Sequence, residues 1–283
     1  MNQSDSPVAR SGFPDRATAR PEGAGPLLEL FDIRKHFGPV QALSGVTMTV
    51  PAGQVTALVG DNGAGKSTLI KTISGIWAAD GGSMRWMGEP VRIHTPRDAA
   101  ALGIATVYQD LALCDNLDIV ANMFLGREEL SRLVLDEGGM EVQAKRTLSN
   151  LSVTTVKSIR QPVGSLSGGQ RQAVAVARAV MQNARLVIMD EPTAALGVSQ
   201  TGMVLELIET LAQRGIGVLV ISHNLSDVFR VADRLAVLYL GRLVEEGPIS
   251  DFDTQSAVEL MTTGGRSRPA AGTRSSPPVA PGV

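Results

Sequence analysis

Apolar positions in this chain follow two patterns. Leu28-Glu29-Leu30-Phe31-Asp32-Ile33 and Val46-Thr47-Met48-Thr49-Val50 alternate apolar with polar residues, as strands with one wetted face do. Val55 to Val59, with Thr56 its one polar residue, Leu186 to Met189 and Gly217 to Ile221 are apolar, β-prone runs, which predict strands covered on both faces of a sheet. Ile104-Ala105-Thr106-Val107-Tyr108 predicts one more strand. Helical spacing marks Leu69, Ile70 and Ile73, then Pro96 to Leu102, Asp118 to Leu125 and Met140 to Leu151, and the small apolar residues from Arg171 to Ala179. A further helix is expected between Glu191 and Gly217. Strand and helix in alternation predict an α/β fold. The expected layout is one domain over 27–261, with a mixed or parallel sheet, an antiparallel β subdomain on its N-terminal side and a mainly helical subdomain inserted at about 95–165. Residues 1–26 and 262–283, rich in Ser, Pro, Gly and Ala without either period, are expected to be disordered tails.

Between the Val55 run and the helix at Leu69 lies Gly60-Asp61-Asn62-Gly63-Ala64-Gly65-Lys66-Ser67-Thr68, of the form G-x-x-x-x-G-K-[ST]. Strand, loop, helix is the context this phosphate-binding motif requires, so the core is a P-loop NTPase core. Gly60, Gly63 and Gly65 allow backbone N–H groups, Asn62's among them, to point at one anion, and the helix adds its positive dipole end. Lys66 is placed to reach the β- and γ-phosphates, Ser67 to ligate Mg²⁺ and Thr68 to donate to the α-phosphate. The Leu186 run ends in Asp190 and Glu191: the first can hold Mg²⁺ through water, the second can orient or deprotonate an attacking water. The Gly217 run delivers His223 to the same sheet edge, within reach of a γ-phosphate. Gln109, just past the strand at 104–108, can reach Mg²⁺ or its water. Leu166-Ser167-Gly168-Gly169-Gln170 opens an apolar helix whose N-terminal amides are expected to be free for an anion, with Ser167 as N-cap. Phe37 reads as an aromatic in a turn, where it can stack on an adenine ring or plug a strand end; both readings stay open.

Composition narrows the setting. The chain has 283 residues, 43% hydrophobic and 19% charged, with a net charge of −2, and this gives no electrostatic reason to expect a nucleic-acid partner. A lone cysteine, Cys114, excludes an intramolecular disulfide and suits a reducing compartment. No apolar run approaches the ~20 residues of a membrane span, and no secretory signal is visible, so a cytoplasmic location is expected. His36 and His94 sit in loop contexts without evident partners and are given no role.

Phosphate loop, Gln109, the LSGGQ stretch at Leu166-Ser167-Gly168-Gly169-Gln170, Asp190-Glu191 and His223, in this order, resemble the ATP-binding subunit of an ABC transporter over about residues 27–250. The resemblance implies ATP and Mg²⁺ as ligands and a head-to-tail homodimer, with ATP sandwiched between one subunit's phosphate loop and the Ser167–Gln170 tip of the other. It also implies integral-membrane permease subunits as partners, a sugar-binding protein acting indirectly, and a place at the cytoplasmic face of the membrane. The wording of Gly60–Ser67, Asp190–Gly197 and Ile221–Leu225 is similar to importers for simple sugars of the ribose, xylose and fructose type. Gly197 departs from the Asp usual in the superfamily, so that residue's cross-dimer contact is not carried over. Leu111, Leu113 and Leu117 are candidates for a groove that receives a membrane-subunit helix, or are simply core. The alternative of an ABC-type ATPase acting on DNA predicts a long coiled-coil insert, yet only about 100 residues, with no sustained heptads, separate Lys66 from Ser167. A kinase would leave LSGGQ unexplained.

Overall fold

The structure, a computed structural model, describes residues 25–131, 134–153 and 155–265. The tails expected at 1–26 and 262–283 therefore lie almost wholly outside the described residues; the described parts of them already belong to ordered elements, the first strand starting at Pro26 and the last helix ending at Thr263.

Twelve strands and eight α-helices follow in chain order among the described residues. They are β1 (Pro26–Phe37), β2 (Val40–Pro51), β3 (Val55–Val59), α1 (Lys66–Ile73), β4 (Gly81–Trp86), β5 (Glu89–Val91), α2 (Pro96–Leu102), β6 (Ile104–Val107) and α3 (Ile119–Phe124). Then come β7 (Leu130–Ser131), β8 (Val134–Leu135), α4 (Glu137–Asn150), α5 (Gly168–Met181), β9 (Leu186–Asp190), α6 (Val198–Gln213), β10 (Gly217–Ile221), α7 (Leu225–Val231), β11 (Arg234–Tyr239), β12 (Arg242–Pro248) and α8 (Thr254–Thr263). The central sheet has six strands in the order β12-β11-β3-β10-β9-β6, parallel except for the edge pairing of β11 with β12. A separate antiparallel sheet runs β2-β1-β4-β5.

The near-continuous apolar runs are explained by the pleat. Successive side chains of a strand point to opposite faces, and here both faces are covered. Val55, Ala57 and Val59 of β3, with Val187, Met189, Val218 and Val220, join the core formed with α3 to α8. Leu58, Leu186, Ile188, Leu219 and Ile221 face the other way, into a second core shared with α1 and the antiparallel sheet. β1 and β2 have one buried face, hence their alternation. That of β1 breaks at a bulge, where Asp32 takes φ 53° and the pairing shifts between Leu30 and Ile33.

β6 lies inside the stretch 95–165 but forms the edge of the central sheet, pairing in parallel with β9. The helices α3 and α4 and the small β7-β8 hairpin follow it in sequence, and both helices pack on α5. Among the described residues no helix is long and apolar enough to cross a membrane.

Candidate functional site

Four elements deliver chemistry to one edge of the central sheet, because β3, β9, β10 and β6 all end there. The register Val107↔Met189 and Ile221↔Asp190 puts the residues after β6, β9 and β10 side by side. These are Gln109, Asp190-Glu191 and Ser222-His223, and the loop after β3 is the phosphate loop.

The loop's shape depends on two glycines in particular. Gly65 sits at the N-cap of α1 with φ 105°, and a Cβ on it would lie 2.8 Å from the Ala42 carbonyl oxygen. A Cβ on Gly60 would collide with the Leu238 carbonyl oxygen. The loop thus passes flush against β2 and β11, and side chains are excluded where an anion has to meet backbone N–H groups. Lys66 is buried, and its Nζ donates to the carbonyls of Gly60 at 2.7 Å and Asp61 at 3.0 Å. Ser67 is exposed at the start of α1, and a depression of about 440 Å³ opens over it, lined by Val40, Ala42, Leu240 and residues 62–68.

Charge is held uncomfortably here. Burial pushes the Lys66 ammonium below its ordinary pKa, with Glu191, Asp61 and Asp190 opposing the shift. Burial raises the Asp190 carboxyl, and the neighbouring Glu191 raises it further, while Lys66 and Lys71 pull it back. Glu191 takes φ 48°, an uncommon conformation for a non-glycine residue, and its N–H donates to Ile221 O at 2.9 Å. Its Oε1 lies 2.8 Å from His223 Nδ1; the glutamate is mostly buried and the histidine mostly exposed. A hydroxyl from Ser67 and a carboxylate from Asp190 form a sparse oxygen set. That suits Mg²⁺, which keeps several waters and takes the rest of its ligands from phosphates; among the described residues no three His, Cys, Asp or Glu side chains gather as a metal cage.

Gln109 is exposed beyond β6. The segment after it is fixed from behind. Asn122, fully buried in α3, accepts from Cys114 N at 2.7 Å and donates to the carbonyls of Cys114, Leu117 and Asp118. Arg178 of α5 donates to the carbonyls of Leu111 and Ala112. A cleft of about 320 Å³ lies between α2, β6 and α5, with Leu111, Tyr108, Leu125 and Arg178 in its wall. All three leucines singled out above are half-buried; Leu111 lines this cleft, and Leu111 and Leu113 pack on the helical core.

Two expectations need correction. The Ser167–Gln170 tip is not bare: Ser167 Oγ accepts from Gln170 N, and Gln170 Oε1 accepts from Ser167 N at 3.0 Å, a closed capping box. Gln170 Nε2 donates to Thr155 O at 2.8 Å, so that side chain is fully used within its own subdomain. Gly168 and Gly169 press on the start of α6, against Leu196 and Gln200. Phe37 is not in a turn; it is the last residue of β1, paired with Val40, and at 40% exposure it is no buried plug. His36 likewise belongs to β1 and has a partner, with Nδ1 3.0 Å from Asp80 Oδ2, and the His94 N–H donates to Asp98 Oδ2. None of residues 166–170 lines the depression over the phosphate loop, so within one chain the two motifs do not form a common pocket.

A nucleotide-hydrolysing P-loop protein is the class that this fold and this sheet edge define. The family model described as ABC transporter matches residues 43–194, and the chain belongs to that family, as its ATP-hydrolysing, energy-coupling component. The Xylose/arabinose import ATP-binding protein XylG of Sulfolobus acidocaldarius is 46% identical over 237 residues, 84% of this chain and 94% of its own length. The Fructose import ATP-binding protein FrcA of Rhizobium meliloti is 45% identical over 244 residues, with coverage of 84% and 94%. The Ribose import ATP-binding protein RbsA 2 of Rubrobacter xylanophilus is 41% identical over 249 residues; this chain is 87% covered but spans only 48% of that longer protein. Among solved structures, a nucleotide-free ATP-binding cassette from an ABC transporter superposes with TM-score 0.72 at 28% identity, covering 83% of this chain and 98% of the other. A second ATP-binding cassette of an ABC transporter, in its ADP conformation, gives 0.72 at 28%, with coverage of 84% and 96%.

Sequence reasoning missed Asn122, Arg178 and the partners of Phe37. A buried Asn in an otherwise apolar helix is a signal that sequence does offer, since such a residue must satisfy its amide somewhere.

Proposed function

We propose that this chain binds MgATP, pairs head to tail with a second copy and, by hydrolysing ATP, drives a membrane importer for a monosaccharide. The observation that carries the chemistry is the Glu191–His223 contact of 2.8 Å beside Asp190 and Lys66. Glu191 is the general base toward the attacking water, oriented by His223, which also faces the γ-phosphate. Lys66 leaves the loop carbonyls for the β- and γ-phosphates, where a full negative charge replaces two carbonyl dipoles. Thr68 donates to the α-phosphate, and the N–H groups of Gly60, Asn62, Gly63 and Gly65 line the remaining phosphate oxygens. Mg²⁺, when bound, would neutralise charge developing between the phosphates. Ser67, Asp190 and, after a movement of its segment, Gln109 would hold it. Phe37 supplies the stacking surface for adenine.

A phosphate loop with no second wall needs another copy to complete it. The Ser167-Gly168-Gly169-Gln170 tip of that copy provides N–H groups once its capping box exchanges an internal acceptor for the γ-phosphate. Permease subunits are engaged through the cleft beside Gln109, and a sugar-binding protein acts only through them, which places the chain at the cytoplasmic face of the membrane. The names of the relatives support sugar as the cargo. The test is uptake of labelled xylose, ribose and fructose by cells carrying the chain with its membrane subunits. Uptake of one of them, lost in Lys66→Ala, is the expected result. Uptake unchanged in Lys66→Ala contradicts the energy-coupling role, and intact ATPase with no sugar uptake removes the cargo assignment alone.

A further inference from the structure

Phe37 stands at the turn end of the β1-β2 hairpin, opposite Val40, which lines the depression over the phosphate loop. A 40%-exposed ring at a strand end has rotamer freedom that stacking on a base would have to remove. Two neighbours restrict it in advance. Lys35 Nζ stands 5.5 Å from the ring centroid. Trp77 lies edge-on to Phe37, with ring centroids 4.7 Å apart and planes at 70°, a favoured aromatic geometry. Trp77 is itself held from the phosphate-loop helix: its backbone N–H donates to Lys71 O at 3.1 Å, and Lys71 Nζ stands 4.7 Å from its ring centroid. The residues after it clasp the strand that carries Phe37. Lys35 Nζ donates to Ala78 O at 2.8 Å and to Asp80 Oδ1 at 2.9 Å, His36 N donates to Asp80 Oδ2 at 2.7 Å, and Asp80 N donates to Arg34 O at 2.9 Å.

We propose that Trp77 is a positioning residue for nucleotide recognition: it sets the Phe37 ring for the base and ties that ring to α1, the helix that binds the phosphates. The inference rests on the reading of Phe37 as the adenine platform. Its consequence is that base and phosphate recognition are joined through Lys71 and Trp77, along a segment of about ten residues. A polyphosphate that lacks a base cannot use the link.

The experiment compares Trp77→Leu, Trp77→Phe and Phe37→Ala in ATPase assays, with inorganic tripolyphosphate as a base-free competitor. Trp77→Leu should raise KM for ATP about 3- to 10-fold with kcat within about 2-fold of the parent. The tripolyphosphate inhibition constant should be unchanged, and Trp77→Phe should restore most of the KM. Equal losses toward ATP and tripolyphosphate would overturn the proposal, because Trp77 would then only support the loop. An unchanged KM in Trp77→Leu alongside a raised KM in Phe37→Ala would also overturn it while leaving the Phe37 reading intact; an unchanged KM in Phe37→Ala removes that reading itself. A second measurement keeps Trp77 in place: in a Trp86→Phe background, the remaining indole fluorescence should change on adding ATP and not on adding tripolyphosphate. The same response to both ligands contradicts the base link.

Discussion

The phosphate-loop edge and the Ser167–Gln170 tip are the two walls assigned to one ATP, and they are built on opposite principles. At the phosphate loop, charge is buried without full compensation: Lys66 leans on two carbonyls of its own loop, and Asp190 is desolvated beside another carboxylate. At the tip, Ser167 and Gln170 satisfy each other's N–H groups through a closed capping box that does not include the Gly168 and Gly169 N–H groups. The first wall is costly to the folded chain and gains from a ligand. The second stabilises the folded chain and gives something up to take a ligand. Under the proposed head-to-tail pairing, that difference would order binding, with ATP entering at the phosphate loop of one copy before the tip of the second closes on its phosphate.

Removing charge at the first wall should have the largest effect. Lys66→Ala should lower ATP hydrolysis by about 10³-fold, the scale of losing a preorganised electrostatic contact to the transferred group, as read by phosphate release. A variant with normal turnover would erase the contrast between the walls. Next in size is Ser167→Ala, which opens the capping box without touching the phosphate loop. It should cost about 1 kcal/mol, a melting-point loss of about 2–4 °C for a domain of this size.

Asp190→Asn should move stability the other way. The Asp190 pKa is raised in the folded chain, so the neutral form is favoured there. Stability from this group is full below the ordinary aspartate range and is lost as pH rises through the raised pKa. The variant should therefore melt about 2 °C above the parent at neutral pH, a small gain because the carboxylate keeps part of its hydration, and the gain should vanish near pH 3. A melting point lowered at neutral pH would mean that Asp190 is a stabilising partner and not a strained one. The smallest change belongs to Gly197, which caps α6 with no side-chain hydrogen bond and with nothing within 4 Å of an added Cβ. Gly197→Asp should stabilise by a few tenths of a kcal/mol, seen as a rise of about 1 °C.

The phosphate loop and the acid-ended strand could be read in the sequence because their geometry is local. Nine consecutive residues set the loop, and four apolar residues before a carboxylate set the strand end. The tip was legible too: Ser167-x-x-Gln170 spells a capping box, and attention to the two glycines hid it. Strands β4, β5, β7, β8, β11 and β12 and the helices α7 and α8 were not singled out. β5 and α7 are short, and β4 and β12 mix polar residues into faces that only pairing defines. Trp77 belongs to a different class. Its contact with Phe37 spans forty residues of sequence and exists only because the segment after α1 returns to the end of β1. No periodicity encodes such a contact.

The measurement closest to the central claim is the mass of Glu191→Gln protein by light scattering, with and without MgATP, and with Ser167→Arg added as a second change. The account predicts a monomer that becomes a dimer only with MgATP, and no dimer once Ser167 is replaced. A protein that binds ATP yet stays monomeric at every concentration, or a dimer indifferent to Ser167→Arg, would contradict the assignment of the second wall to a second copy.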